Sequence, residues 1–307
     1  MRTSVIVPTR NRVGEVIRFI KSLYNQVELP DEFIIVDSSD VSIISYREFN
    51  DIFKKMEGKI ALYYIHTEPG SSKQKNTGIK TASGDIVYFF DDDTILQPDY
   101  LQIMNKTFNE NPDYMGGMGT IIGIPRLFFR GRIINAFKRV FLLQRDYGNG
   151  KFQKSGFAKH PYGTGKFKEV EVLGGCGMAY RRDVLKHSNF DEHLDEEQTG
   201  YSYMEDADFS RRVSYRDKLF YNPKAKLEHR RAVGGRGNIR NKRKMYMVSH
   251  RYLFFKNFYR KNKLYIIPHW WSIFGLIVNS FIFESKEARK GYLDGLKEFK
   301  RRKKEFL

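Results

Sequence analysis

The chain has 307 residues and a mass of 36.2 kDa, enough to bury a large hydrophobic core. With 41% hydrophobic and 15% aromatic residues, its composition excludes a disordered chain, collagen and a coiled coil. The single cysteine, Cys176, excludes an intrachain disulfide and a cysteine-based zinc site, as expected in a reducing compartment. The first apolar run is too short for a signal peptide, and we expect it to form a strand.

The formal net charge of +18 is unevenly distributed along the chain. Residues 1–125 hold 13 Lys/Arg and 17 Asp/Glu, residues 126–229 hold 20 and 14, and residues 230–307 hold 21 and 5. A nearly neutral first part followed by a basic tail predicts a soluble catalytic body joined to a part that meets an anionic surface. Nucleic acid and acidic lipid are the two candidates for that surface.

Short β-rich runs alternate with helical patterns in the first third of the sequence. The patterns predict strands over 4–8, 33–37, 60–65 and 86–90, and helices over 13–24 and 71–82. This alternation predicts βαβ units and a mostly parallel sheet. Because ligands bind at the carboxyl ends of such strands, the candidate site residues are the polar ones that follow them: Pro8, Thr9, Arg10, residues 37–40 and residues 91–93.

The middle and the end of the chain are less regular. Glycines at 116, 117 and 119 predict a break, and the polar, glycine-rich residues 145–169 predict a mobile loop. Strand-like character returns over 170–182, and beyond residue 240 the chain is basic, aromatic and helical in pattern. We therefore expect a catalytic domain over 1–235, with halves 1–115 and 116–235, and a basic, apolar helical region over 236–307.

Three successive aspartates, Asp91, Asp92 and Asp93, directly follow an apolar strand. Adjacent carboxylates raise one another's pKa, and a divalent cation removes that repulsion. Alternate residues of an extended segment point to the same side, so we expect Asp91 and Asp93 to share one Mg²⁺ or Mn²⁺ site with a diphosphate. The alternative is a solvated acidic turn in which Asp93 or Thr94 caps the next helix.

Glu205 and Asp206 begin a second acidic segment, at the start of a predicted helix whose amide dipoles favour anions. A carboxylate there is placed to accept a proton from an attacking hydroxyl. The alternative is an acidic first turn that pairs with Arg211 or Arg212. A lone histidine is more often a core or surface residue, so His229 is a candidate metal ligand only if it lies near the three aspartates.

Five segments, taken in this order, resemble the inverting glycosyltransferases of family 2. They are VIVPTRNR at 5–12, IIVDSSD at 34–40, the stretch over 70–94, EVLGGCGMAYRRDVL at 171–185, and GYSYMEDADFSRRV at 200–213. The resemblance covers roughly residues 1–230. It implies an α/β GT-A fold, with a Rossmann-like, mixed and mostly parallel sheet, followed here by a C-terminal helical, membrane-associating extension.

The resemblance also implies roles for individual residues. The donor-binding residues would be Pro8, Thr9, Arg10, Asp37, Lys75, Asn76, Asp91 and Asp92. The ligands of Mn²⁺ or Mg²⁺ would be Asp93, Asp91 and His229. Asp206 would be the general base, with Gly174, Gly175 and Glu205 on the acceptor side. The implied reaction is a direct displacement that inverts the anomeric carbon while the metal neutralises the departing diphosphate.

Residues 264–283 contain no Asp, Glu, Lys or Arg. As a helix they would be about 30 Å long, just enough to span a bilayer. Pro268, His269 and Asn279 make a poor span, however, and basic residues flank both ends. We expect a peripheral, monotopic or hairpin association with the cytoplasmic face of the membrane. The alternative is a buried helical hairpin that packs on the catalytic body.

Residues 126–145 show a second pattern of this kind, in which apolar residues at helical spacing are interspersed with Arg and Lys. A basic amphipathic helix suits a membrane surface or a lipid-phosphate acceptor. The alternative is an ordinary amphipathic helix that packs on the core.

Together these features predict a metal-dependent enzyme that moves a sugar from a nucleotide-diphosphate sugar to a glycan or polyprenyl-lipid-linked acceptor at an anionic membrane surface. One rival is a nucleic-acid-binding protein that uses the basic, aromatic tail. An uncharged stretch of 20 residues has no role on nucleic acid, so we expect no such partner. A nucleotidyltransferase is disfavoured by the Glu205–Asp206 pair and the GGCG loop, and a non-catalytic sugar-nucleotide-binding relative is the last alternative.

Overall fold

The computed structural model describes residues 1–123, 129–196, 201–230 and 238–306. The strands are Thr3–Thr9 (β1), Glu32–Asp37 (β2), Ala61–His66 (β3), Ile86–Phe89 (β4), Thr94–Leu96 (β5), Tyr114–Ile122 (β6), Lys168–Val170 (β7), Met178–Arg181 (β8) and Lys218–His229 (β9). The helices are Val13–Tyr24 (α1), Arg47–Lys54 (α2), Ser71–Thr81 (α3), Tyr100–Glu110 (α4), Phe129–Val140 (α5), Arg182–Lys186 (α6), Glu205–Val213 (α7), Ile239–Phe254 (α8), Ile266–Ile282 (α9) and Lys286–Phe306 (α10).

The strands form one mixed sheet in the order β3-β2-β1-β4-β8-β6-β9-β5, with β7 paired to β9. Strands β1 to β4 are parallel, as their alternation with helices predicts. Side chains of β1 alternate between two cores: Val5 and Val7 pack with α1, and Ile6 packs on the opposite face beside α3. Each face of this half of the sheet is therefore covered by a helix.

The second half of the sheet is mostly antiparallel. Strand β8 runs antiparallel to β4 and β6, and β9 runs antiparallel to β5 and β7 but parallel to β6. The prediction of a mixed α/β sheet is confirmed, but the sheet is not mostly parallel as expected, since the described strands form four parallel and four antiparallel pairs. Helices α2 and α4 were not predicted.

The prediction of a break at the glycines is wrong, because Gly116, Gly117 and Gly119 lie inside β6. A Cβ atom on Gly117 would lie 2.2 Å from the Phe220 ring, and one on Gly116 would lie 2.6 Å from the Tyr180 ring. Large aromatic rings on the neighbouring strands thus occupy the space that side chains would take. The glycines permit close packing of the sheet rather than ending it.

The segment over 145–169 is irregular, as predicted, but it packs against the body of the protein. Phe157 and Tyr162 are buried, and the Phe157 ring stacks on His250 with ring centroids 3.6 Å apart. Aromatic residues therefore anchor a loop whose glycines alone suggested mobility.

The C-terminal region is helical, as predicted. Helices α8 and α10 pack closely because Gly291 and Gly295 face the backbone of α8, where an added Cβ would lie 2.3 and 2.5 Å from carbonyl oxygens. Residues Lys263–Ile282 are long and apolar enough to cross a membrane by length and composition, with 39% of that window buried. The expected boundary at 235/236 falls within 231–237, outside the described residues.

The residues directly after α8 contact helix α7 through polar and charged side chains. Lys256 Nζ donates to Asp208 Oδ2 in α7 at 2.9 Å and also pairs with Asp191. Asn257 Nδ2 donates to Asp208 Oδ1 at 2.7 Å. The helical region and α7 therefore form one packed unit.

Four aromatic residues near the start of the tail are core residues. Tyr252, Phe254, Phe255 and Phe258 are buried in a cluster with Phe299. These four side chains are thus not available at the surface to stack on bases, as a nucleic-acid-binding protein would require. The structure therefore removes these four rings from the support for a nucleic-acid-binding protein.

We predict that Gly117→Ala lowers the free energy of unfolding by about 1–3 kcal/mol, because the new methyl group overlaps the Phe220 ring. Urea denaturation measures the change. The matched control is Gly14→Ala in α1, where the nearest atoms to an added Cβ lie 3.9 Å away. The control should leave stability unchanged or raise it by less than about 1 kcal/mol. Equal stability of Gly117→Ala and the wild type would contradict the packing described for β6.

Candidate active site

A cavity of about 640 Å³ opens at the carboxyl ends of β1 and β4. This is the edge of an α/β sheet at which ligands bind. Eleven of the residues singled out in the sequence line it: Pro8, Thr9, Arg10, Asp91, Asp92, Asp93, Gly174, Gly175, Glu205, Asp206 and His229. The lining does not include Asp37, Lys75 or Asn76.

Asp91, Asp93 and His229 meet on one side of the cavity. The antiparallel register of β5 and β9 places Thr94 opposite His229, so the imidazole lies beside the aspartates that precede β5. His229 Nε2 is 3.1 Å from Asp93 Oδ1 and 3.7 Å from Asp91 Oδ2. One ligand atom from each of the three residues lies within 4.8 Å of the others.

Asp92 points away from that cluster. It accepts a hydrogen bond from Thr9 Oγ1 at 2.8 Å and pairs with Arg12 Nη1 at 3.1 Å. Burial raises the pKa of Asp92 to about 7, against the opposing effect of Arg12. Thr94 begins a strand rather than a helix, so the three aspartates do not cap a helix as the alternative required.

The cluster of Asp91, Asp93 and His229 fits a divalent cation by the chemistry of its donor atoms. Two carboxylates and an imidazole are acceptable ligands for Mn²⁺, and the carboxylates also suit Mg²⁺. Burial opposes protonation of His229, but the contacts with Asp93 and Cys176 and the charge of Asp91 together outweigh it and raise the pKa of His229 to about 10. A bound cation would take over the charge compensation that this proton provides.

Asp206 lies across the cavity at the start of α7. Its Oδ2 accepts a hydrogen bond from the Gly175 amide at 2.7 Å, and its Oδ1 accepts one from the Ala207 amide at 2.7 Å. Burial and the neighbouring charge of Glu205 raise the pKa of Asp206 to about 7. A carboxylate with a raised pKa is well matched to accept a proton near neutral pH.

The arginines of α7 do not neutralise Glu205 or Asp206. Arg211 Nη1 pairs with Glu171 Oε2 at 3.0 Å, and Arg212 Nε pairs with Asp208 Oδ2 at 2.8 Å. The alternative of an acidic turn that pairs with these arginines therefore holds for Asp208, which pairs with Arg212, but not for Glu205 or Asp206.

Lys75 supplies the cation for Glu205. Its Nζ lies 2.7 Å from Glu205 Oε1, and the lysine side chain is only 1% exposed. Burial acts to lower the pKa of Lys75, but the charges of Glu205 and Asp91 outweigh it and raise that pKa. Lys75 thus holds the start of α7 from beneath the cavity, and its expected contact with the donor stays a prediction.

Asp37 and Asn76 are also committed to protein partners. Asp37 is fully buried and accepts hydrogen bonds from the Ser39 and Ile43 amides and from Tyr64 Oη, at 2.6–2.9 Å. Asn76 exchanges two 2.9 Å hydrogen bonds with the backbone of Phe190. Both side chains fix loops behind the cavity, and their donor-binding roles stay predictions.

Sequence reasoning assigned no role to several residues that line the cavity, among them Arg12, His160 and Tyr162. Arg12 belongs to the VIVPTRNR segment and follows strand β1. A basic residue after this strand could have been predicted to pair with one of the three aspartates that follow β4. His160 and Tyr162 stack with ring centroids 5.4 Å apart, and no local pattern marks them. A Cβ atom on Gly174 would lie 1.8 Å from Tyr162 Oη, so the glycine is what admits this tyrosine.

We predict that Lys75→Met lowers the free energy of unfolding by about 3 kcal/mol or more, because it leaves Glu205 without its cation in a low-dielectric site. Adding Glu205→Gln to that variant should cost less than the sum of the single substitutions, with a coupling of roughly 1–3 kcal/mol. Urea denaturation of the four proteins gives this cycle. Lys186→Met, which breaks the exposed pair with Asp183, is the control and should change nothing measurable. Strict additivity would show that the Lys75–Glu205 pair contributes no interaction energy.

Comparison with protein families shows that residues 4–188 match the model described as glycosyl transferase family 2. An uncharacterized glycosyltransferase of Bacillus subtilis, YwdF, is 25% identical over 147 residues, which cover 48% of this chain and 52% of the relative. The chain thus spans about half the length of that relative. A glucosyl-dolichyl phosphate glucuronosyltransferase of Haloferax volcanii is 23% identical over 235 residues, which cover 75% of this chain and 69% of the relative.

Solved structures share the fold at low sequence identity. Residues 1–349 of TarS from S. aureus superpose with a TM-score of 0.58 at 17% identity, covering 97% of this chain and 80% of that one. The mannosyltransferase PcManGT from Pyrobaculum calidifontis, solved with GDP-Man and Mn²⁺, gives a TM-score of 0.56 at 17% identity, covering 94% and 77%. These likenesses show that the sheet and its helices adopt the GT-A fold.

Proposed function

This chain belongs to glycosyl transferase family 2, and from that membership we propose that it transfers a sugar from a nucleotide-diphosphate donor to an acceptor hydroxyl with inversion. The observation that carries the proposal is a single cavity with two separate acidic sites on its wall. One is the cluster of Asp91, Asp93 and His229, and the other is Asp206. A metal-diphosphate site and a proton acceptor are the two functions that such a transfer requires.

The donor side lies at the end of β1. Pro8, Thr9 and Arg10 form the wall next to the aspartates. Asp91, Asp93 and His229 would hold Mn²⁺ or Mg²⁺, and the ion when bound neutralises the charge that develops on the leaving diphosphate. Asp92 accepts hydrogen bonds from Thr9 and Arg12 and so fixes the position of the loop after β1 relative to the three aspartates.

Asp206 acts on the acceptor side. Its carboxylate accepts the proton of the acceptor hydroxyl while the hydroxyl oxygen bonds to the anomeric carbon and the bond from that carbon to the diphosphate oxygen breaks. The Gly175 amide orients the carboxylate. Glu205, held by Lys75, raises the proton affinity of Asp206 and so favours the transfer of the proton. Attack from the face opposite the leaving group inverts the anomeric centre.

We assign the acceptor to glycans or polyprenyl-linked lipids at the cytoplasmic face of the membrane. The Haloferax relative is named for an activity on a dolichyl phosphate, which is a lipid carrier. The apolar residues Lys263–Ile282 and the net charge of +16 over 230–307 support an acceptor held at an anionic membrane.

The first experiment is calorimetric titration of the protein with UDP, GDP, CDP and dTDP, each with and without Mn²⁺. We expect one nucleotide to bind in a metal-dependent manner. Asp93→Asn should weaken that binding at least about tenfold, because it removes a ligand from the cluster. The matched control is Asp113→Asn, an exposed aspartate outside the cavity, which should bind as the wild type does. Failure of well-folded protein to bind any of the four nucleotides would overturn the donor-site assignment.

The pH dependence of the transfer tests the role of Asp206. A base must be ionised, and burial with Glu205 raises the pKa of Asp206 to about 7. The rate should therefore fall as the pH drops through about 7 and level off above it. Asp206→Asn should keep donor binding and lose roughly 100-fold or more in turnover. A variant that retains wild-type turnover would show that another group accepts the proton.

A further inference from the structure

Helix α9 buries polar side chains against the protein and exposes large apolar side chains to solvent. The polar residues His269, Ser272, Asn279 and Ser280 are buried against the protein. Large apolar side chains point outward instead, 44–68% exposed: Ile267, Trp270, Trp271, Phe274, Phe281 and Ile282. Their spacing of three, four and seven residues places them along one side of the helix. A helix of a soluble protein shows the opposite arrangement, with its apolar stripe facing the core.

Helix α5 extends this apolar side, although it precedes α9 by about 130 residues in the sequence. Phe129, Ile133 and Val140 are 48–80% exposed and fall on one side of α5. Trp271 Nε1 donates to the Val140 carbonyl at 2.9 Å, and the Trp271 ring stacks on Phe141 with centroids 4.9 Å apart. The outward faces of the two helices therefore form one continuous patch, here called the α5–α9 surface.

The charges at the edge of the α5–α9 surface are predominantly basic, and the exposed Glu287 beyond the end of α9 pairs with Lys290. Neither α5 nor α9 contains an aspartate or a glutamate. Arg132 and Arg139 are exposed on α5, and Lys263 and Lys286 are exposed at the two ends of α9. An apolar patch with a basic border is complementary to a bilayer that carries anionic headgroups. The same border would repel a second copy of this chain.

We propose that the α5–α9 surface binds in the plane of an anionic membrane, with α9 parallel to the bilayer rather than across it. The inner side of α9 is packed against the protein: an added Cβ on Gly275 would lie 2.3 Å from Phe141, and Ile273 and Leu276 pack with Phe157. Crossing the bilayer would require these contacts to break. Tryptophan favours the headgroup level, which agrees with Trp270 and Trp271 on the outer side.

The α5–α9 surface lies close to the proposed active site. Met204 packs in the same cluster as Ile273 and Phe157, and it also lines the cavity directly before Glu205. A membrane-bound acceptor would thus reach the cavity across one cluster of side chains. This link to an acceptor rests on the proposed function, whereas binding of the surface to lipid does not.

The native tryptophans report on this binding, because Trp270 and Trp271 are the two tryptophans of the chain. The full chain is mixed with vesicles of phosphatidylcholine, with and without phosphatidylglycerol, in the absence of any sugar nucleotide. We expect co-flotation and a blue shift of tryptophan emission with the anionic vesicles. Lipids brominated near the headgroup end of the acyl chain should quench the emission more than lipids brominated near its terminus.

Substitutions then test which residues bind. The triple variant Ile267→Ser, Phe281→Ser and Ile282→Ser should lower vesicle affinity roughly tenfold or more, because three exposed apolar groups are lost. The matched control is Val27→Ser, Val41→Ser and Ile44→Ser, which alters three side chains of 44–65% exposure away from this surface. The control should bind vesicles as the wild type does.

Three results would overturn the proposal. The first is that the protein does not float with anionic vesicles. The second is that quenching is strongest at the bilayer centre, which would indicate a spanning helix. The third is that the protein forms a concentration-dependent dimer without lipid and that dimer formation shifts the tryptophan emission. Each is independent of sugar transfer. Vesicle binding without metal-dependent nucleotide binding would refute the proposed function alone, and nucleotide binding without vesicle binding would refute the membrane surface alone.

Discussion

Repulsion among carboxyl groups around one cavity is the constraint on which the arrangement of the site depends. Within the described part of the chain, five such groups line it: Asp91, Asp92, Asp93, Glu205 and Asp206. Three basic side chains lie against these groups: Arg12 beside Asp92, His229 beside Asp93 and Asp91, and Lys75 beside Glu205. The remaining negative charge is concentrated where a divalent cation and a proton would bind. If side chains of the protein neutralised all five groups, the cavity would be unable to bind a divalent cation or to accept a proton.

Helix α7 links the carboxyl groups of the cavity to the rest of the fold, because residues of other elements contact both ends of its acidic first turn. Lys75 of α3 holds Glu205, and Lys256 and Asn257, which follow α8 directly, hold Asp208. The position of Asp206 between these contacts is thus set by elements from the sheet half and from the C-terminal region. The helical extension supports the residues proposed to be catalytic, and it also carries part of the surface proposed to bind a membrane.

The reversed polarity of α9 follows from the same packing. Its buried side makes specific contacts, such as the His269 ring stacked on Phe254 with centroids 3.7 Å apart. Its outer side keeps apolar area that water does not stabilise. The packed helix that the sequence raised as one alternative describes the buried side of α9, and membrane association, the other alternative, is our proposal for its outer side. A helix held in this way can meet a bilayer without moving the active site.

The sequence by itself determined the local elements and the chemical types at their ends: the parallel strands β1 to β4, the aspartates after β4, the acidic start of α7 and the apolar residues 264–283. These depend on periodicity and on neighbours in the chain, which a sequence contains. Only the tertiary structure decided which groups meet. The β5–β9 register brings His229 to Asp93, and packing withdraws Lys75 from the cavity to Glu205. Such pairings join residues more than 100 positions apart, and no local pattern encodes them.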